Sequence, residues 1–285
     1  MVTPNGLFVC WTIDCEATQR AIGDVPLGMR SLRGYADLLG EADLKATLFV
    51  LPSDAEAYPG LLRELAAEGF EIGLHYHPQE EGYADYCGAY SFEEQVAMYA
   101  KAVQRFADSV GSAPAAFRTG SCSANDMTFP ATYEVGFRCC SHSMPERKMT
   151  ALRANWSGAA AGVHFAHPSN RLLEGDLDLV EVPLTCDGDS MLWSGLHPQD
   201  LRVELFDAKN QFFMIDKMIG REKALAAKAA AIVTLTHNIF EYGRADDFRR
   251  ATMQQMIADF RILAEKHEVR LLPATIGEIA AAYRT

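Results

Sequence analysis

Short apolar runs rich in β-branched residues alternate along this chain with longer amphipathic stretches, and that alternation constrains the fold more than any other feature. Leu7–Ile13, Ala46–Leu51, Phe70–Leu74, Ala115–Arg118, Phe137–Cys140, Ala230–Leu235 and Val269–Leu272 read as strands. The runs "GVHFAHPS" and "LDLVEVPLT" in the less periodic middle also read as strands. Ser31–Gly40, Pro59–Glu68, Asn125–Val135, Pro198–Ile219 and Asp246–Lys266 read as helices. Ser91 with Glu94, and Thr275 with Glu278, have the capping-box spacing that opens two more. Unbroken apolar strands joined by helices imply a parallel sheet covered on both faces. No glycine-rich loop follows the first strand; "TIDCEAT" stands there instead. The expectation is therefore an α/β fold, a distorted or incomplete (β/α) barrel with about seven parallel strands, in a single domain spanning 1–285. In such barrels the chemistry collects at the carboxyl ends of the strands.

Charge narrows the partners. The net charge is −12 over 285 residues, which argues against nucleic acid and against anionic membranes. No run approaches the roughly 20 apolar residues of a membrane helix, and no export signal is visible at the start. A cytoplasmic location is expected. The seven cysteines, an odd number with no CxxC pair, suggest neither a disulfide framework nor a zinc ribbon.

Four motifs fall at strand ends. In "VCWTIDCEAT", Asp14 and Glu16 share a face of extended backbone while Cys15 points the other way. Two carboxylates on one face repel unless a cation lies between them; a solvated strand end is the alternative. In "GFEIGLHYHPQEEG", His75 and His77 also share a face, and Pro78 stops the strand after them. Two imidazoles and a carboxylate make a facial metal set with open positions. Arg118 in "AAFRTGSCSAND" can orient a carboxylate through a bidentate pair, or lie on the surface. His237 in "AIVTLTHNIFEYG" follows a late strand. All four sets would meet at one barrel mouth. His164 and His167 read as structural histidines. Trp156 and Trp193 offer aromatic faces for a sugar, or core packing. The long loop "PQEEGYADYCGAYS" beside the histidine pair is a candidate lid.

The stretches "TIDCE", "LKATLFVLP", "AAEGFEIGLHYHP", "FRTGSCSAN", "YEVGFRCCSHSMP", "LVEVPLT" and "LTHN" together resemble the polysaccharide deacetylase family, the chitooligosaccharide deacetylase homology domain, in a histidine-x-histidine-proline variant. The resemblance implies a metal-dependent hydrolase removing an N-acetyl group from an amino sugar or glycoconjugate. It implies Asp14 as base, Arg118 as its orienting partner and His237 as general acid, with Glu16, His75 and His77 holding a divalent metal. Zinc is the expected metal; cobalt, nickel or manganese also suit the set. The substrate would be an acylated amino sugar or small amide, and a homo-oligomer is left open. Two positions depart from the commonest pattern. Cys15 replaces a second aspartate, so the ligand role passes to Glu16, with Cys15 as an alternative soft ligand. Gln79 holds the place of the second histidine, so His77 substitutes for it. These departures keep two other functions open: a carbohydrate-binding relative without catalysis, and a metal-independent hydrolase of a non-sugar C–N bond.

Overall fold

The computed structural model describes residues 6–205 and 207–285. Seven strands form the barrel wall: β1 (Gly6–Cys15), β2 (Ala46–Val50), β3 (Glu71–Tyr76), β4 (Phe117–Thr119), β5 (Cys139–Cys140), β6 (Val180–Glu181) and β7 (Ala231–Val233). They pair in parallel in the spatial order β7-β1-β2-β3-β4-β5-β6. An eighth, β8 (Arg270–Pro273), lies beside the first residues of β1, and His164–Phe165 adds an antiparallel edge to β6. The last seam has no regular ladder. There Thr185 N–H donates to the Val233 carbonyl at 3.2 Å, and Val233 N–H donates to Thr185 Oγ1 at 2.9 Å. The sheet thus curls into the expected distorted (β/α) barrel.

Helices α1 (Val25–Glu41), α2 (Pro52–Ala57), α3 (Pro59–Ala67), α4 (Phe92–Val110), α5 (Thr128–Glu134), α6 (Ala208–Leu225), α7 (Phe248–His267) and α8 (Ile276–Arg284) connect or flank the strands. None of the described helices is long and apolar enough to cross a membrane. Both capping boxes read from the sequence are formed, at Ser91/Glu94 and Thr275/Glu278. Every residue of β2 is buried, because one face meets the barrel interior and the other meets helices. Strand register sets what fills the barrel. Asp14 lies opposite Phe49, and Phe49 opposite Gly73. A Cβ at Gly73 would come 3.0 Å from the Phe49 ring, so glycine there makes room for an aromatic floor. The Arg118 guanidinium stacks over that ring at 4.1 Å.

One expectation is corrected and one open choice is decided. The helix read over Pro198–Ile219 begins later. His197–Asp200 pairs antiparallel with Cys186–Leu192, and the helix opens only where Asp207 caps the Asn210 N–H. The apolar spacing in that segment serves a β-ribbon first. Trp156 is no sugar platform: it is fully buried, and its Nε1–H donates to the Cys122 carbonyl at 2.7 Å. Trp193 remains half-exposed on the ribbon, stacked on His197. The loop after His77 is tied down by ion pairs from Glu81 to Arg105 and from Asp85 to Arg153. The seven cysteines are all buried and unpaired.

Candidate active site

Asp14 is the penultimate residue of β1, and its side chain faces the barrel interior. Arg118, in the middle of β4, donates from Nη1 to Asp14 Oδ1 and to Thr12 Oγ1, both at 2.8 Å. Its other nitrogens donate to the Ser141 carbonyl and to Ser141 Oγ, at 3.1 and 2.9 Å. Both partners of this ion pair are buried, with side chains 1% and 7% exposed. The guanidinium is held on all sides, so it fixes which Asp14 oxygen is free. That oxygen, Oδ2, lies 3.8 Å from His75 Nε2.

β3 ends at Tyr76, yet His77 keeps extended backbone (φ −113°, ψ 110°) before Pro78 opens a 3-10 turn. Extended geometry through His77 puts both imidazoles on one face, their centroids 5.0 Å apart. Their Nε2 atoms converge on a single oxygen, Glu16 Oε1, each at 2.9 Å. His75 Nδ1 faces the Arg118 carbonyl at 3.0 Å. A carbonyl only accepts, so Nδ1 carries the proton, and in the neutral ring Nε2 presents a lone pair to the carboxylate. A lone pair facing a carboxylate oxygen calls for a cation between them. Anchoring Nδ1 on a backbone carbonyl is also how metal-binding histidines are oriented. The donor chemistry of Glu16, His75 and His77 therefore fits a divalent metal, and their ligand atoms lie within 4.8 Å of one another. Burial opposes ionisation of Glu16, but the imidazoles of His75 and His77 outweigh it and hold its carboxyl well below the usual range. Burial also works against a charged His75; the Asp14 and Glu16 carboxylates outweigh it and raise its pKa.

His237 lies beyond β7, where an isolated bridge couples its backbone to Asp14. Its ligand-type nitrogen falls within 4.8 Å of the Asp14 and Glu16 oxygens. On its other side, Nδ1–H donates to Glu204 Oε1 at 2.6 Å. Burial disfavours the imidazolium, yet Glu204 pushes the His237 pKa up to about 9. Glu204 is itself held by Thr236 Oγ1 at 2.7 Å. Sequence reasoning missed Glu204 because it lay inside the segment read as a helix. It also missed Thr12 and Ser141, whose roles are visible only once β1, β4 and β5 are side by side. Cys15 sits on the opposite face of β1, fully buried and in neither ligand group. Burial drives its thiol pKa well up.

One glycine in the mouth is sterically required. A Cβ at Gly120 would come 2.4 Å from the His77 ring. Gly120→Ala is therefore expected to push His77 off its position and cut activity by about 10²-fold, the scale of a 1 Å misplacement. Steady-state kinetics beside a thermal melt check this.

Residues 28–140 match the family profile described as Polysaccharide deacetylase. That segment, less than half of the chain, resembles the polysaccharide deacetylase family. It carries His75, His77 and Arg118; Asp14, Glu16 and His237 lie outside it. No curated protein matches the chain. Among solved structures, the chain is similar to a Mycobacterium smegmatis protein designated a polysaccharide deacetylase, with a TM-score of 0.69 and 16% identity over 100% of this chain and 92% of that one. It is similar to Puue Allantoinase at a TM-score of 0.67, again with 16% identity over 100% and 92% of the two chains. A Pseudomonas aeruginosa protein designated a polysaccharide deacetylase gives 0.63, with 16% identity over 99% and 92%. At this identity these likenesses concern the fold.

Proposed function

We propose that this protein acts as a polysaccharide deacetylase-type enzyme, a metal-dependent hydrolase of N-acyl amides that removes acetyl from an amino sugar or glycoconjugate. The observation that carries the reading is the convergence of two imidazole nitrogens on one Glu16 oxygen, 2.9 Å from each, beside a carboxylate locked to a buried arginine. A metal bound there would polarise the amide carbonyl and bring the pKa of a water toward neutrality. Asp14 takes the water's proton at Oδ2, because Oδ1 is committed to Arg118, as the water oxygen bonds to the amide carbonyl carbon. His237 keeps Nδ1–H on Glu204 and donates its Nε2 proton to the departing nitrogen as the C–N bond breaks. Acetate and a free amine result. Acetate release from N-acetylchitooligosaccharides, measured on zinc-loaded and on chelator-stripped protein, tests the reading. Release that needs the metal supports it; no release, or release indifferent to chelation, goes against it.

A pH effect follows from Glu204. A histidine with a raised pKa stays protonated up to that pKa, so the general acid is present below about pH 9 and is lost above it. Glu204→Gln removes the charge that raises it. The alkaline limb of the kcat profile is expected to move to lower pH, by a unit or more. A pH–rate series on the two proteins measures the shift.

A second reading rests on the same cluster. Glu16 Oε1 lies at hydrogen-bond distance, 2.9 Å, from both imidazole nitrogens, so a proton can bridge Glu16 and the imidazoles in place of a metal. That supports hydrolysis of a non-sugar C–N bond without metal, and predicts turnover that survives exhaustive chelation.

A further inference from the structure

Glu16 stands one residue past the end of β1, outside the ladder that fixes Asp14. A ligand on a free loop would be poorly placed. Here the turn is clamped instead. Glu16 N–H donates to Asn238 Oδ1 at 2.7 Å. Ala17 N–H donates to Asp54 Oδ1 at 3.0 Å, and Thr18 N–H to Asp54 Oδ2 at 3.2 Å. Thus three consecutive backbone N–H groups end on two fully buried side chains from distant segments. Those two side chains are joined. Asn238 Nδ2 donates to Tyr58 Oη at 3.0 Å, and Tyr58 Oη–H donates to Asp54. Asn238 also reaches the other half of the mouth: its own N–H donates to the Asp14 carbonyl at 3.1 Å, next to His237. Helix α1 closes the turn from a third side. A Cβ at Gly28 would come 2.2 Å from Ala17 Cβ and 3.1 Å from Asn238 Nδ2.

We infer that Asn238 and Asp54, linked through Tyr58, are positioning residues that hold the Glu16 carboxylate at the ligand site. The same Asn238 sets the spacing between Glu16 and the Asp14–His237 pair. The inference rests on the reading of Glu16 as a metal ligand. It explains how a carboxylate two places after Asp14 stays on the inner side although β1 has ended.

Zinc affinity, measured by competition with a chromophoric chelator, is the first readout. Asn238→Ala and Asp54→Asn are expected to weaken zinc by about 10–100-fold, the usual cost of losing a group that holds a metal ligand in place. Asn238→Asp keeps an oxygen for the Glu16 N–H and is expected to restore most of the affinity. Tyr58→Phe cuts only the link between the two anchors and is expected to weaken zinc less than either. Amide hydrogen exchange at Glu16, Ala17 and Thr18 in chelator-stripped protein is the second readout. Protection there is expected to fall in Asn238→Ala, while β3 amides stay protected. Wild-type zinc affinity in Asn238→Ala and Asp54→Asn would overturn the inference and leave the proposed function standing. A wild type that takes up no zinc overturns the metal reading, and with it the ligand role given to these anchors. Exchange then shows whether the clamp itself exists.

Discussion

Asp14→Asn is expected to lower kcat by about 10²–10⁴-fold, the range that a positioned general base contributes, while the fold survives. The asparagine matches aspartate in size, and its oxygen can still accept from Arg118 Nη1. Its second atom is an amide NH₂, which has no lone pair free to take a proton from water. Oδ2 is the oxygen the mechanism needs, and it is the one replaced. Thr12 Oγ1 and Ser141 continue to hold the guanidinium. The loss of stability should stay below the about 3–5 kcal/mol typical of stripping one partner from a buried ion pair. Arg118→Leu is the contrasting variant. It strands the Asp14 carboxylate in a buried site and should approach that larger cost. Circular dichroism and thermal melts separate the two effects from turnover. Wild-type kcat in a folded Asp14→Asn protein would remove Asp14 from the role of base.

His75→Ala is expected to abolish stoichiometric metal uptake. The ring supplies one of two imidazoles that meet at Glu16, and its Nδ1–H is what aims it. Losing a direct ligand should cost more than the 10–100-fold that follows loss of an outer partner. His164→Ala is the matching control. That histidine is equally buried, but it bonds to the Gly162 carbonyl and belongs to neither ligand group. Elemental analysis after loading with zinc and desalting reads both variants. As much metal in His75→Ala as in a zinc-loaded wild type would show that the ion sits elsewhere.

Much of the barrel was legible because its signals are local. Most wall strands lie in apolar runs, and the boxes at Ser91/Glu94 and Thr275/Glu278 are written in four consecutive residues. The segment before α6 misled because Pro198 opens an apolar spacing that the β-ribbon uses first. Glu204 was lost with it. Trp156 could not be placed because an indole suits a core and a sugar platform equally well. Its burial depends on what packs over it.

The alternation of apolar runs, the strand-end positions of Asp14, His75, His77 and Arg118, and the two-residue spacing that puts the histidines on one face were all in the sequence, since each depends only on backbone periodicity. Tertiary structure alone decided which oxygen of Asp14 is free, which nitrogen of His75 is anchored, and that His237 leans on Glu204. It alone showed that Asn238 and Asp54 carry the Glu16 turn. These facts are contacts between residues tens to hundreds of positions apart. Hydrogen-bond direction between such groups is set by the closing of the barrel, and no local pattern encodes it.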